Sequence, residues 1–461
     1  MNTTSDSAAQ NEWRQRDLSV LWHPCTQMRE HPQTLPLVPI AHGDGAHLVD
    51  FDDQRYLDAV SSWWTNLFGH SEPRIAEAVA RQARTLEQVM LAGFTHRPAV
   101  ELAERLLAIA PKNGERRPLT KVFYADNGSA AIEVALKMSF HSCLNRGETK
   151  RTRFVALTNG YHGETLGALS VGDIPLYRRV YAPLLLEPLF APSPDAFDAL
   201  PGESAEACAL RRAKELDEML CQHGDTVCAV IIEPLVQCAG AMRMHHPSYL
   251  RELRAICDRH GVHFIADEIA VGFGRTGTMF ACEQAGIAPD FLCLSKGLTG
   301  GFLPLSAVLT TDEVYEAFLD DSRERAFLHS HSYTGNPLAC AAALASLDIF
   351  ASDDVIERNR GLAARMQQLG SRIATHEHVC DFRQTGMIAA FELAQDRASR
   401  TPFPPSERIG LKAYKAALER GVVLRPLGDV LYWMPPYCVS DADLQMLAEV
   451  THAAIEEATC A

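Results

Sequence analysis

No stretch of this 461-residue chain stays apolar for eighteen residues, so no membrane-spanning helix is expected. Its start, Met1 to Gln10, has neither the basic patch nor the apolar run of a secretory leader. There is no long run of basic residues either, and the formal net charge of −15 repels nucleic acid and anionic lipid. The 13 cysteines are an odd number, scattered singly with no CxxC pair, which suits reduced thiols better than a disulfide frame or a zinc ribbon. No HExxH motif occurs. The His-x-His pairs His329/His331 and His376/His378 have no such partner at helical spacing, so no structural metal is expected. These absences point to a cytoplasmic protein without nucleic-acid or membrane partners. What is present is 47% hydrophobic and 22% charged residues, enough to bury a large core and to build one large domain and a smaller one.

Read along the chain, residues 1–20 form a mobile arm, and 46–60 give a hairpin with its polar turn at Asp52–Gln54. Two adjacent tryptophans, Trp63 and Trp64, follow outside any helical period, as core filler or as flat walls for a ligand. Helical spacing covers 72–91 and 98–110, a buried strand covers 121–124, and Asn127–Gly128–Ser129 opens a helix through Cys143. Glycine then serine at a strand-to-helix turn leaves N–H groups free for a phosphate, although Ser129 also serves as an N-cap with no ligand at all. It is not a Walker loop, which needs a lysine. A strand at 153–157 leads into the glycine-flanked turn 159–165, where Tyr161 is placed to stack on a ring. Residues 185–205 read as an irregular excursion, and strands resume at 227–232 and 262–266.

The run 290–295 is apolar enough to be buried on both faces of a parallel sheet, and it delivers Lys296 to the carboxyl end, where open α/β sheets bind ligands. An ammonium there is a ligand clamp, a nucleophile, or an ordinary strand-end lysine. A nucleophilic lysine needs a carbonyl, and pyridoxal phosphate is the aldehyde proteins most often hold on one. Asp267 ends another apolar strand at the same edge, where a carboxylate has little structural use; it is suited to a pyridinium nitrogen. The loop 329–337 is rich in hydroxyls and small residues and precedes an alanine-rich helix at 337–350. Beyond 350 the composition shifts to a second domain, in which a strand at 422–427 carries Arg425, a partner for a carboxylate.

Asp267–Glu268–Ile269 with Gly272–Phe273–Gly274–Arg275–Thr276–Gly277, then Ser295–Lys296–Gly297 with Thr299–Gly300–Gly301, resembles the class III, fold-type I aminotransferases in order and spacing. Leu21–Trp22–His23–Pro24, Ser61–Ser62–Trp63–Trp64 and Tyr432–Trp433–Met434–Pro435–Pro436 are similar to the diaminopelargonate synthases of biotin synthesis within that family. The resemblance implies an α/β fold: a large domain with a mostly parallel sheet flanked by helices, and a smaller α+β domain built from both chain ends. The expected divisions are 1–70, 71–345 and 346–461. It implies pyridoxal 5′-phosphate as cofactor, S-adenosylmethionine and 8-amino-7-oxononanoate as substrates, and a homodimer with shared active sites.

Residue by residue, it implies Lys296 as the Schiff-base lysine, Asp267 as the ring-nitrogen partner, and Gly128 with Ser129 as the phosphate seat. Tyr161 is implied to stack on the cofactor and touch substrate, Trp63 to line the substrate pocket, and Arg425 to take the oxononanoate carboxylate. Ser330, His331 and Ser332 are implied to reach across the dimer to the partner's cofactor phosphate and pocket rim. Cys25 stands where many members have tyrosine, and the Ser330–His331–Ser332 loop replaces a Gly-Pro-Thr version. Both changes leave the amino donor open. The alternatives are a lysine-dependent diaminopelargonate synthase, an ω-amino acid:pyruvate aminotransferase, and, more remotely, a non-catalytic binding or assembly protein on the same fold.

Overall fold

The protein is described by a computed structural model covering residues 8–35, 37–112 and 118–460. Its centre is a seven-stranded sheet in the order Leu119–Ala125, Ser306–Thr311, Phe291–Leu294, His263–Asp267, Val227–Ile232, Arg153–Leu157, Leu189–Ala191. Only Ser306–Thr311 runs against its neighbours; the remaining pairs are parallel. Every residue of Val227–Ile232, His263–Asp267 and Phe291–Leu294 is buried, as a parallel strand covered by helices on both faces requires. Helices Gly128–Asn145, Ala205–His223 and Ser248–His260 connect successive strands of this sheet. A parallel crossover of that kind brings all carboxyl ends to one edge.

Both ends of the chain build a second layer of structure. Val422–Val423 adds in parallel to Arg55–Asp58 and completes a four-stranded sheet with Ile40–Asp44 and His47–Asp50. A three-stranded sheet of Val379–Thr385, Ile388–Leu393 and Val430–Trp433 lies beside helices Val355–Ile373 and Asp441–Thr459. None of the described helices is long and apolar enough to cross a membrane.

Four local expectations change. Residues 8–20 of the expected mobile arm are a helix, Ala8–Val20, docked by Trp13 stacking on Phe51 at 5.7 Å and by the Arg14 Nε donating to Leu37 O at 2.6 Å. Residues 1–7 lie outside the described residues. The helix expected over 72–91 stops at Ala83. Beyond it the chain is drawn aside by bonds from Gln88 to Ser332 O (2.8 Å) and from Asn336 to Glu87 O (2.9 Å), which no local pattern announces. The excursion at 185–205 contains the edge strand Leu189–Ala191, and the strand expected through Leu427 is only Val422–Val423.

Candidate active site

Asp267 lies opposite Cys293 in the parallel register, so the two strand ends that carry Asp267 and Lys296 emerge side by side. Ser295 is extended and its hydroxyl donates to Leu305 O at 2.7 Å; Lys296 then turns left-handed, with φ of 46°. That reversal sends the side chain into a cavity of about 480 Å³ at the strand ends, its Nζ 4.4 Å from the centre of the Trp64 ring. Burial holds the Lys296 ammonium below the ordinary lysine range, opposed by Cys238, Asp267 and Glu233. A larger fraction of free amine is what a nucleophile or a general base needs.

On the cavity floor, Asp267 Oδ2 meets His162 Nδ1 at 2.7 Å, and Oδ1 accepts the Ile269 N–H at 3.1 Å. Two bonds fix the carboxylate plane. Glu233 ends the Val227–Ile232 strand beside it and accepts the N–H groups of Tyr161 and Cys238, both at 3.0 Å. Burial pushes the Glu233 carboxyl up to about 7; Asp267 adds to the rise, while His162 and the two amides oppose it. Neither His162 nor Glu233 was assigned a role from sequence. Glu233 carries the same signal as Asp267, an acid ending an apolar strand, and His162 lies within the turn expected to stack on a ring.

At the far wall the Gly128–Asn145 helix begins, capped by Asn127, whose side chain accepts the Ala130 N–H at 3.0 Å. The cap is therefore Asn127, and Ser129 is left to do something else. Gly128 and Ser129 occupy the first turn, where helix geometry leaves N–H groups without a partner and the positive dipole end faces the cavity. The turn 159–165 closes over them. Gly163 has φ of 127°, and a Cβ there would stand 2.1 Å from Ser129 Oγ, so only glycine permits the approach. Glu164 N–H donates to that hydroxyl at 3.2 Å.

At the mouth, the Tyr161 hydroxyl donates to Glu164 Oε1 at 3.1 Å and the Cys25 thiol reaches the same oxygen at 3.7 Å. Burial, then Glu164, raises both groups above their ordinary pKa ranges. Trp64, not Trp63, lines the cavity; its indole N–H donates to Tyr432 Oη at 3.0 Å. Trp63 stands outside, 39% exposed, with the Arg425 guanidinium 4.5 Å over its ring. Among the described residues no carboxylate pairs with Arg425. Ser330, His331 and Ser332 do not line this chain's own cavity; His331 Nδ1 meets Asp126 at 2.8 Å and its Nε2 meets His329 Nε2 at 3.2 Å.

Comparison with known proteins gives this geometry a family. The aminotransferase class-III family model matches residues 27–455. An adenosylmethionine-8-amino-7-oxononanoate aminotransferase of Nitratidesulfovibrio vulgaris is 46% identical, over 96% of this chain and 81% of that protein. Its counterpart in Helicobacter pylori is 45% identical over 93% and 94%. The crystal structure of the Methanocaldococcus jannaschii protein of the same name superposes with a TM-score of 0.90 at 37% identity, covering 97% and 99%. The omega transaminase of Pseudomonas jessenii in complex with PMP gives 0.91 at 30% identity, covering 97% and 98%. A likeness that runs through both layers of structure and includes the strand ends bearing Asp267 and Lys296 makes this chain a member of the class-III aminotransferases.

Proposed function

We propose that this enzyme transfers an amino group from S-adenosylmethionine to 8-amino-7-oxononanoate, the step that makes 7,8-diaminononanoate for biotin. One observation carries the reading: a chain 46% identical to a protein of that activity brings Lys296, the Asp267–His162 pair and the Gly128–Ser129 helix start to one 480 Å³ cavity. Class-III aminotransferases use pyridoxal 5′-phosphate, and the cavity suits it in size and in donor set: an amine, a fixed carboxylate and a helix start with free N–H groups. When bound, the cofactor supplies an electron sink and a temporary home for the amino group.

The protein's own contribution is positional and protic. Lys296, whose pKa burial lowers, takes a proton from the donor's α-carbon and returns it on the way to product. Asp267, oriented by His162 and the Ile269 amide, holds a proton on the ring nitrogen through a charge-assisted hydrogen bond. Gly128 and Ser129 amides would hold the phosphate, Tyr161 and Trp64 would line the ring's walls, and Arg425 with Trp63 would receive the acceptor's carboxylate at the mouth. Because Ser330, His331 and Ser332 stand away from their own cavity, we assign them to the partner's site in a homodimer. Thirteen cysteines without a disulfide suit the cytoplasm.

Cys25 at the mouth favours one second reading, in which lysine or an ω-amino acid is the donor, because a thiol fills less of the rim than a phenol. The test is direct. Purified enzyme is given the oxononanoate with S-adenosylmethionine, lysine or alanine in separate reactions, and the diamine is assayed. Product with S-adenosylmethionine alone supports the proposal; product only with another donor refutes it.

A further inference from the structure

At the opposite edge of the sheet from Lys296, the helices Ala205–His223 and Ser248–His260 end close together, just before the strands Val227–Ile232 and His263–Asp267 begin. Asp217 and Cys221 are four residues apart and so share one face of the first helix, and His260 is the last residue of the second. One carboxylate oxygen, one sulfur and one imidazole nitrogen from these three lie within 4.8 Å of one another. We propose that Asp217, Cys221 and His260 form a binding site for a single thiophilic divalent cation of the zinc type, which fastens the two helices together.

The donor set argues for that class of ion. Thiolate, imidazole and carboxylate together are zinc's usual ligands, whereas magnesium and calcium take oxygen alone. Ligand atoms of a tetrahedral zinc site stand roughly 3–4 Å apart, so the three groups need close by only about an ångström. The carboxylate is already oriented: Asp217 Oδ1 meets His260 Nε2 at 2.8 Å, and Oδ2 is held by Arg259 at 2.9 Å. Zinc takes the place of the proton between Oδ1 and Nε2, the neutral imidazole carrying its proton on Nδ1 instead, while Arg259 keeps the other oxygen, an outer-shell bond of the kind that steadies metal-bound carboxylates. Arg259 also places a positive charge nearby, which lowers the affinity without blocking a ligand atom. Two features offset it. Cys221 and His260 sit in the last turns of their helices, where the negative dipole ends favour a cation, and Cys221 is exposed, so an ion reaches the site from solvent. Binding exchanges the thiol S–H for an S–Zn bond and releases that proton to solvent. The fourth position is left to water.

Zinc is titrated into the holoenzyme against a competing chelating dye, for the parent and for Cys221→Ser, His260→Gln and Cys460→Ser. The last removes another exposed thiol and serves as the control. The parent is expected to take one equivalent per chain. Cys221→Ser and His260→Gln should each weaken that equivalent by at least roughly tenfold to a hundredfold, and Cys460→Ser should leave it unchanged. Bound zinc should also protect Cys221 from iodoacetamide, as read by peptide mapping. The proposal is overturned if the parent takes up no stoichiometric zinc, if Cys221→Ser or His260→Gln binds as the parent does, or if Cys221 is alkylated equally fast with and without zinc.

Discussion

Replacing Arg425 by alanine tests the assignment at the mouth of the site. The guanidinium lies 4.5 Å over Trp63 and, among the described residues, has no carboxylate of its own, so a substrate carboxylate meets an unspent charge. A hydrogen-bonded charge pair contributes about 1.5–3 kcal/mol, or roughly tenfold to a hundred-and-fiftyfold in affinity. Arg425 is only half buried, and water screens part of that, which places the expected loss at about tenfold to thirtyfold. The loss should fall on the KM for 8-amino-7-oxononanoate, with kcat nearly kept, because the carboxylate is far from the reacting carbon and is held equally in ground and transition states. Arg425→Lys should recover only part of it, since an ammonium lacks the planar fork that pairs with both oxygens and stacks on the indole. Single-turnover spectra of each half-reaction separate the substrates, and the donor half should suffer less. An unchanged acceptor KM in Arg425→Ala, or a fall in kcat alone, would show that the arginine does not receive the carboxylate.

Two more outcomes follow from the buried acid and the rim. The Glu233 carboxyl titrates at about 7 in the fold against an unfolded value near 4.5, so the stability it confers is complete below pH 4.5 and is lost as pH rises through 7. That difference is worth roughly 3 kcal/mol, most of it between pH 5 and pH 8. Chemical denaturation of cofactor-free Glu233→Gln should therefore gain on the parent by about that amount across the window, and parallel pH profiles would contradict the assignment. At the rim, Cys25→Tyr should shift the relative rates of S-adenosylmethionine and smaller amino donors, read by stopped-flow, while the oxononanoate half-reaction keeps its rate. Equal donor preference in both proteins would remove residue 25 from donor choice.

The sheet was largely legible because a buried parallel strand writes itself as a continuous apolar run. Val227–Ile232 and Arg153–Leu157 begin and end where composition changes, and the acids and the lysine follow the apolar runs at the ligand-binding edge. Leu189–Ala191 was not legible, since three residues in a proline-rich stretch carry no periodicity and acquire their identity only by pairing with Val155–Leu157. The same limit hid His162 and the entry of Trp64 into the cavity. Which of two adjacent indoles enters a cavity depends on a backbone turn, and which histidine meets Asp267 depends on a contact across 105 residues of chain. Cation ligands drawn from two helices were invisible for that reason too, because Asp217 and His260 are 43 residues apart.

Ser61, Ser62, Trp63 and Trp64 all have positive φ, between 45° and 74°, a left-handed turn that costs roughly 1–2 kcal/mol at each residue. Besides local bonds, such as those from Ser62 to Asp58, it is fastened from far along the chain: Ser61 Oγ donates to Met434 O at 2.7 Å and the Trp64 indole to Tyr432 at 3.0 Å. The wall facing Lys296 is thus shaped by residues that leave the ribosome some 370 positions later. A chain cut short before Tyr432 keeps every strand of the central sheet and Lys296 in its sequence, yet it lacks two of the bonds that hold the indole wall in place. The strands that carry Asp267 and Lys296 are thus made well before the residues that shape the wall facing the lysine.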